Sequence, residues 1–315
     1  MNILITGAAG YIGSHCVLKL NSLEHSLFGL DILKPHNTSL FQKFYVGDHG
    51  NTAFIRSVFK EERIECIIHC SGSSSVIATI EDPIKYYSND LMGTIFLLRT
   101  ALEENVKKLL FLSSAQVYGN VAQLTATEDT PTLPIHPLGR IKLAVEQLIE
   151  SLTVSHELHA ISLRITNVIG MDPKGATFPQ GNDLLSNMLL DDTLTVFGDH
   201  CSTADHTPER DFIHVNDVVQ AIILALQKLS YWRKYSVYNI SSGRTYSVKD
   251  LISAVGHKIH PPLNVSYQQQ RPGEIERLSV DSRLAQRELD WHLQYLSLDY
   301  IIDSMIDWLR SHEAS

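Results

Sequence analysis

Three glycines stand three residues apart in Gly7-Ala8-Ala9-Gly10-Tyr11-Ile12-Gly13, where an apolar strand pattern gives way to a helical one. Glycine lets a strand turn sharply, lets backbone come close to a diphosphate and lets the following helix pack on the strand. The helix start then offers free N–H groups and partial positive charge to phosphates. Ordinary turn glycines would give the same letters, but Asp31 ends the next strand pattern. A carboxylate there accepts from the adenosine ribose hydroxyls and repels a 2′-phosphate, so the pattern reads as NAD rather than NADP. Asp48, after Gly47, is placed to accept from an adenine amino group. Cys70, Ser71 and Gly72 are small enough for a cofactor to approach their backbone. Either segment reads equally well as a plain loop.

These residues need a parallel, doubly wound scaffold, and the chain has its signature. Strand patterns at Asn2–Thr6, Ser26–Asp31, Lys43–Val46, Cys66–Cys70, Lys108–Ser113 and His159–Arg164 alternate with helical stretches such as Ile12–Ser22, Ile84–Glu104 and Gly139–Ser155. Apolar strands separated by helices predict an α/β Rossmann sheet covered on both faces. After Gly170 the texture changes, and Asp172–Asp183 is rich in Pro, Gly and polar residues. Arg210–Val215, Tyr238–Ser241 and Leu263–Tyr267 read as further strands, Asp217–Leu229 and Leu296–Leu309 as helices. The expected division is an NAD-binding Rossmann half over 1–168, also receiving part of 211–240, and a smaller α/β substrate half over 169–315.

Composition narrows the function classes. The chain has 315 residues, 44% of them apolar and 19% charged, as in a folded protein with a large core. A net charge of −9 with no basic face argues against nucleic acid as a partner. No run approaches the roughly 18 apolar residues of a membrane span, and the N-terminus enters a strand without a signal-peptide pattern. Cys16, Cys66, Cys70 and Cys201 show no Cys-x-x-Cys spacing, which predicts reduced thiols and a cytoplasmic location. The fifteen histidines form no His-x-x-x-His pair, and no metal is expected.

Seven segments in order resemble the extended short-chain dehydrogenase/reductase family, on the side of its UDP-glucose 4-epimerase-like enzymes. After the glycine turn come Tyr86-Tyr87-Ser88-Asn89 with Met92-Gly93-Thr94, then Phe111 to Gly119 and Pro137-Leu138-Gly139-Arg140-Ile141-Lys142. Leu163 to Gly170, Leu194 to Gly198, Glu209 to Val215 and Arg271-Pro272-Gly273-Glu274 complete the series. The resemblance implies NAD as cofactor and a nucleotide sugar, a UDP-hexose first, as substrate. It implies that Asn89 lies on a cofactor-facing helix, that Ser114 hydrogen-bonds the sugar hydroxyl being oxidised and that Lys142 holds the nicotinamide ribose. Asn167, Arg210 and Arg271 would take the substrate diphosphate. Thr195 and Phe197 would line the base pocket, and Glu274 would accept from its ribose. Arg271 and Glu274 also read as a surface ion pair. A homodimer through Ile84–Glu104 and Gly139–Ser155 is implied too, although an apolar helix face is equally at home inside a monomer.

One departure bears on the chemistry. The family works with a Tyr-x-x-x-Lys pair one helical turn apart, the lysine making the phenol a proton acceptor. Here the pair reads Leu138-x-x-x-Lys142, and leucine cannot ionise. Either another group accepts the proton, or the protein binds without turnover, or this position was altered. His136 is the first substitute, with a pKa range that suits the task; Ser113, Ser114, Tyr86 and Tyr87 are weaker ones. Ser71-Gly72-Ser73-Ser74 stands where the family has Ala-Gly-x-Lys, so a cation is lost, and Thr166 replaces a frequent aromatic. Ala115-Gln116 stands where the family's dehydratases carry an Asp-Glu pair, which disfavours dehydration. The expected reaction is 4-epimerisation through a 4-keto sugar, with surface polysaccharide biosynthesis as its expected setting; decarboxylation and ketone reduction stay open. The alternative is a silent NAD- and nucleotide-sugar-binding protein that regulates or scaffolds.

Overall fold

The computed structural model describes residues 1–35, 37–121, 125–175, 177–179, 184–198, 200–229, 231–232, 234–269 and 275–313. Thirteen strands are described: β1 (Asn2–Thr6), β2 (Ser26–Asp31), β3 (Lys43–Val46), β4 (Cys66–His69), β5 (Lys108–Ser114), β6 (His159–Ile165), β7 (Asn167–Ile169), β8 (Thr193–Phe197), β9 (Glu209–His214), β10 (Tyr235–Ile240), β11 (Thr245–Ser247), β12 (Asn264–Gln268) and β13 (Arg277–Leu278).

Seven of them form one parallel sheet in the order β3-β2-β1-β4-β5-β6-β10. The chain winds outward from β1 first through β2 and β3, then restarts at β4 on the other side. This is the reversal at which α/β sheets open a ligand crevice beyond the carboxyl ends of their strands. The burial follows from the pleat: Ile3 and Ile5 pack into one apolar layer and Leu4 into the other. The first layer is completed by the helices Tyr11–Leu20 and Val215–Leu229, the second by Thr52–Glu62, Gly93–Glu103 and Pro137–Ser155. The expected Rossmann architecture is therefore present.

A second sheet gathers β7, β11 and β13 around β9, while β8 pairs with β12. Their shared core includes Met188, Phe212, Leu251 and Met305, drawn from the helices Leu184–Leu190, Val248–Gly256 and Leu298–Glu313 as well as from β9.

The expected helix Ile84–Glu104 differs in detail. It is built as Pro83–Tyr86, a wide π-helical turn over Tyr87–Met92, then Gly93–Glu103. Such a turn inserts extra chain into a helix and rotates the residues beyond it, and it recurs at functional sites. Asn89 is left exposed, whereas its neighbour Asp90 is half-buried.

Candidate active site

The glycine turn lies between β1 and the helix Tyr11–Leu20, and its packing leaves no room for side chains. Gly7 sits at φ +66°, and a methyl group there would lie 2.7 Å from the Ser71 nitrogen. One on Gly13 would lie 2.1 Å from the Gly7 carbonyl oxygen. Gly10 caps the helix with no side-chain hydrogen bond to its first turn, and Tyr11 and Ile12 come next, half-buried. Backbone donors at that tip are thus free of a side-chain cap and suited to a diphosphate. Asp31 closes one flank: its carboxylate accepts from the Ala9 and Leu33 N–H groups, each at 3.0 Å. A carboxylate has about four acceptor positions, so capacity for ribose hydroxyls remains. Asp48 is largely exposed and accepts from the Gly50 N–H at 2.8 Å.

On the other side of β1, Cys70, Ser71 and Gly72 leave the end of β4. Burial pushes the Cys70 thiol up to about 12, so it stays protonated. A hydrogen-bond chain fixes this loop. The Ser71 N–H donates to Thr6 Oγ1 at 3.4 Å, and Thr6 Oγ1 lies 2.7 Å from His69 Nδ1. His69 Nε2 lies 2.9 Å from Thr94 Oγ1, which itself donates to the Asp90 carbonyl at 2.5 Å. Since the Thr94 hydroxyl proton is committed to Asp90, His69 must donate from Nε2, and a neutral ring then accepts from Thr6 at Nδ1. Burial, which drives the His69 pKa down, favours that neutral ring.

Lys142 comes from the first turns of the helix Pro137–Ser155. Its ammonium donates to the Leu112 carbonyl at 2.9 Å and lies 4.9 Å from the centre of the Phe111 ring. It also faces Gly72, 3.5 Å from where a methyl group on that glycine would stand; the Asp90 carboxylate lies 3.6 Å from the same point. Asp90 Oδ2 accepts from the Ser73 N–H at 2.8 Å. Burial lowers the Lys142 pKa, and Asp90 is the largest of the charges that counter this.

Ser114 ends β5 half-buried, its Oγ accepting from the Gln116 N–H at 3.2 Å. Leu138, one turn before Lys142, is only 4% exposed. His136 is the residue before the helix, extended in backbone and buried. Two nearby hydroxyls are already committed. Ser113 Oγ donates to Glu146, and the Tyr118 hydroxyl donates to Asn239 Oδ1 at 2.7 Å. Both belong to a buried network in which Arg164 grips Glu146 through Nη2 at 2.7 Å and Nε at 3.1 Å, and reaches the Tyr118 oxygen at 2.9 Å. Tyr86 and Tyr87 are half-buried.

The expected substrate residues lie on the smaller sheets. Asn167 on β7 donates to the Asp211 carbonyl at 3.1 Å, and Arg210 lies on the paired strand β9, donating to the Glu209 carbonyl at 3.0 Å. On β8, Leu194 and Val196 point into the core, leaving Thr195 exposed and Phe197 half-buried. Arg271 and Glu274 lie outside the described residues. Sequence reasoning did not single out Asp90 or His69; the only signal for Asp90 was a carboxylate directly after Asn89.

A family model described as the NAD dependent epimerase/dehydratase family matches residues 3–241. The chain belongs to that family. Among curated relatives, the UDP-glucose 4-epimerase of Halalkalibacterium halodurans is 33% identical over 322 aligned positions, covering 99% of this chain and 96% of that one. Among solved structures, a UDP-glucose 4-epimerase from Stenotrophomonas maltophila with bound NAD and formylated UDP-arabinopyranose superposes with a TM-score of 0.91 at 31% identity, covering 100% and 99% of the two chains. The enzyme from Bifidobacterium longum, in complex with NAD+ and UDP, gives 0.93 at 29% identity, with 99% of both chains covered.

Proposed function

We propose that this family member is an NAD-dependent nucleotide-sugar epimerase acting at C4 of a UDP-hexose, working without the family's usual phenol. The observation that carries the reading is the glycine turn: Gly7 and Gly13 have no space for a side chain, and the uncapped helix tip beside Asp31 fits a dinucleotide diphosphate. Gly7, Gly10, Tyr11, Ile12, Gly13, Asp31, Asp48, Cys70, Ser71, Gly72, Asn89 and Lys142 would hold NAD, whose nicotinamide supplies a hydride acceptor and then a hydride donor.

The chain's own groups do the rest. Ser114 Oγ already accepts from the Gln116 N–H, which leaves its proton available to orient a sugar oxygen. Lys142 places a buried positive charge near the reacting centre, where it stabilises an alkoxide. Asn167, Arg210 and Arg271 would neutralise the substrate diphosphate, while Thr195, Phe197 and Glu274 would hold the nucleoside. His136 is the proposed proton acceptor, since Ser113 and Tyr118 are tied into the Arg164–Glu146 network. The neutral side chains of Ala115 and Gln116 offer no acid for expelling water, which favours epimerisation over dehydration.

A second reading rests on Leu138 itself. An apolar, buried side chain in place of an acid–base group suits a protein that binds NAD and a nucleotide sugar without turnover, and so regulates or scaffolds. Calorimetric titration with NAD and UDP, together with interconversion assays on UDP-glucose, UDP-galactose and their N-acetyl relatives, tests both. Binding with turnover that falls in His136→Asn supports the epimerase. Binding without turnover supports the silent protein, and no binding of either ligand refutes both.

We also propose a homodimer. The helices Gly93–Glu103 and Pro137–Ser155 enclose an apolar groove lined by Ile95, Leu98, Leu102, Leu148 and Leu152, with Phe96 exposed nearby. A second copy of the chain is the proposed occupant. Among the described residues, no helix is long and apolar enough to cross a membrane.

A further inference from the structure

Two charged groups flank Gly72: the Lys142 ammonium, which the proposed reaction uses, and the Asp90 carboxylate, which it does not. Lys142 and Asp90 both face that glycine, 3.5 and 3.6 Å from the same point above its Cα. Other titratable groups that face Lys142 are discharged or already neutralised. Cys70 is held protonated by burial. His49 and His69 are held neutral, chiefly by burial. Glu146 is spent on Arg164, with the two side chains 4% and 8% exposed. Among the described residues, Asp90 is thus the carboxylate that balances this ammonium. Its position is built: the π-helical turn brings it inward, the Ser73 N–H holds its side chain, and Thr94 holds its carbonyl.

The pair also lies where it can sense a cofactor's charge. Asp31, on β2, takes the adenosine end on one flank of β1. A dinucleotide whose diphosphate lies on the helix tip must therefore send its other half across the ends of β4 and β5. Gly72 and Lys142 are on that side.

We infer that Asp90 is a positioning residue that sets the protein's preference between oxidised and reduced NAD by cancelling the charge of Lys142. Oxidised nicotinamide carries a positive charge and the reduced ring carries none. A bare ammonium beside it therefore penalises NAD+ alone, and a compensated one does not. The inference rests on the NAD reading above. It adds a means by which a protein that must pass a hydride out and back can keep both forms bound.

The test measures Kd for NAD+ and NADH separately, by calorimetry, on the full chain stripped of bound dinucleotide. Wild type, Asp90→Asn, Lys142→Met and the double variant are compared at one pH. Asparagine retains the acceptor for the Ser73 N–H and removes only the charge. Asp90→Asn is expected to shift the affinity ratio about tenfold toward NADH, Lys142→Met to shift it toward NAD+, and the double variant to return near wild type. If wild type binds both forms but Asp90→Asn changes the two affinities by the same factor, the inference is overturned and the NAD reading stands. The opposite direction of shift in Lys142→Met overturns it as well, even if Asp90→Asn fails to fold. A wild type that binds neither form overturns the cofactor reading and takes this inference with it.

Discussion

Leu138 lies one helical turn before Lys142 on the buried face of Pro137–Ser155, with its side chain 4% exposed and the lysine 9%. The helix therefore delivers to the site a fixed cation and, beside it, a side chain with no proton to exchange. Restoring the phenol tests what this leaves. With His136 taking the proton, turnover of UDP-glucose to UDP-galactose in Leu138→Tyr should change by less than about tenfold, whereas a rise of about 10² to 10⁴, the usual worth of a positioned general base, would mark a site that has lost its acceptor. The larger ring should cost about 1–3 kcal/mol of stability in a packed setting. Parallel kinetics and thermal melts check both, and unchanged turnover would mean that another group already fills the role.

Gly13→Ala should lose NAD binding. A methyl group 2.1 Å from the Gly7 oxygen forces the helix tip away from β1. A drop in dinucleotide affinity of at least about tenfold is expected, since the backbone donors no longer converge. Calorimetry on folded material, verified by circular dichroism, reads it.

Breaking the buried pair beneath the site should be costly. Glu146→Gln leaves the Arg164 guanidinium with an uncompensated charge at 8% exposure. A loss of about 3–5 kcal/mol is expected, measured by urea unfolding. Because Ser113 also loses its carboxylate acceptor, a well-packed apolar replacement of both Glu146 and Arg164 should recover only part of it.

Acid should unfold the protein through its buried histidines. His214 is stacked on Tyr295 with ring centres 4.1 Å apart, and burial lowers its pKa to about 4. An unfolded histidine titrates near 6.5, so between about pH 6.5 and 4 the unfolded chain binds the extra proton. The stabilisation is present above pH 6.5 and is lost as pH falls through 4. His15, His49 and His69 shift in the same direction through burial. Thermal melts from pH 7.5 to 4 should show a falling Tm. His214→Phe should flatten that slope while lowering Tm throughout, because the Asn216 N–H loses its acceptor at Nδ1.

If the apolar groove holds a second copy, Leu152→Glu should yield monomers. Light scattering across a concentration series gives the mass directly, and a wild type that is monomeric at micromolar concentration would refute the dimer.

The sheet is readable because its central strands are buried on both faces and run apolar, so β1 and β2 fall where the sequence puts them; the edge strand β3 does too, although its Lys43 and Val46 are exposed. β10 is harder: Tyr235, Ser236 and Val237 are only half-buried at the sheet edge, and the strand pattern becomes visible only at Tyr238. The glycine turn is legible because the positive φ of Gly7 and the close approaches at Gly7 and Gly13 admit few residue types, and Asp31 because it is a carboxylate at the end of the second strand. Asp90 is not, since periodicity assumes 3.6 residues per turn and the π-helical turn breaks that count at Tyr87–Met92. Nor is the neutral His69, whose tautomer depends on Thr6 and Thr94, 63 and 25 residues away.

The strand β10 has an outcome for how this molecule is made and dissected. It pairs with β6 along six residues, Tyr235 to Ile240, and its Asn239 receives the Tyr118 hydroxyl inside the sheet. A ribosome that has released only the first 168 residues therefore holds a nascent sheet with a bare apolar margin. Scissors placed after that point should yield a fragment that clings to chaperones or aggregates, while adding the later segment in trans should rescue it.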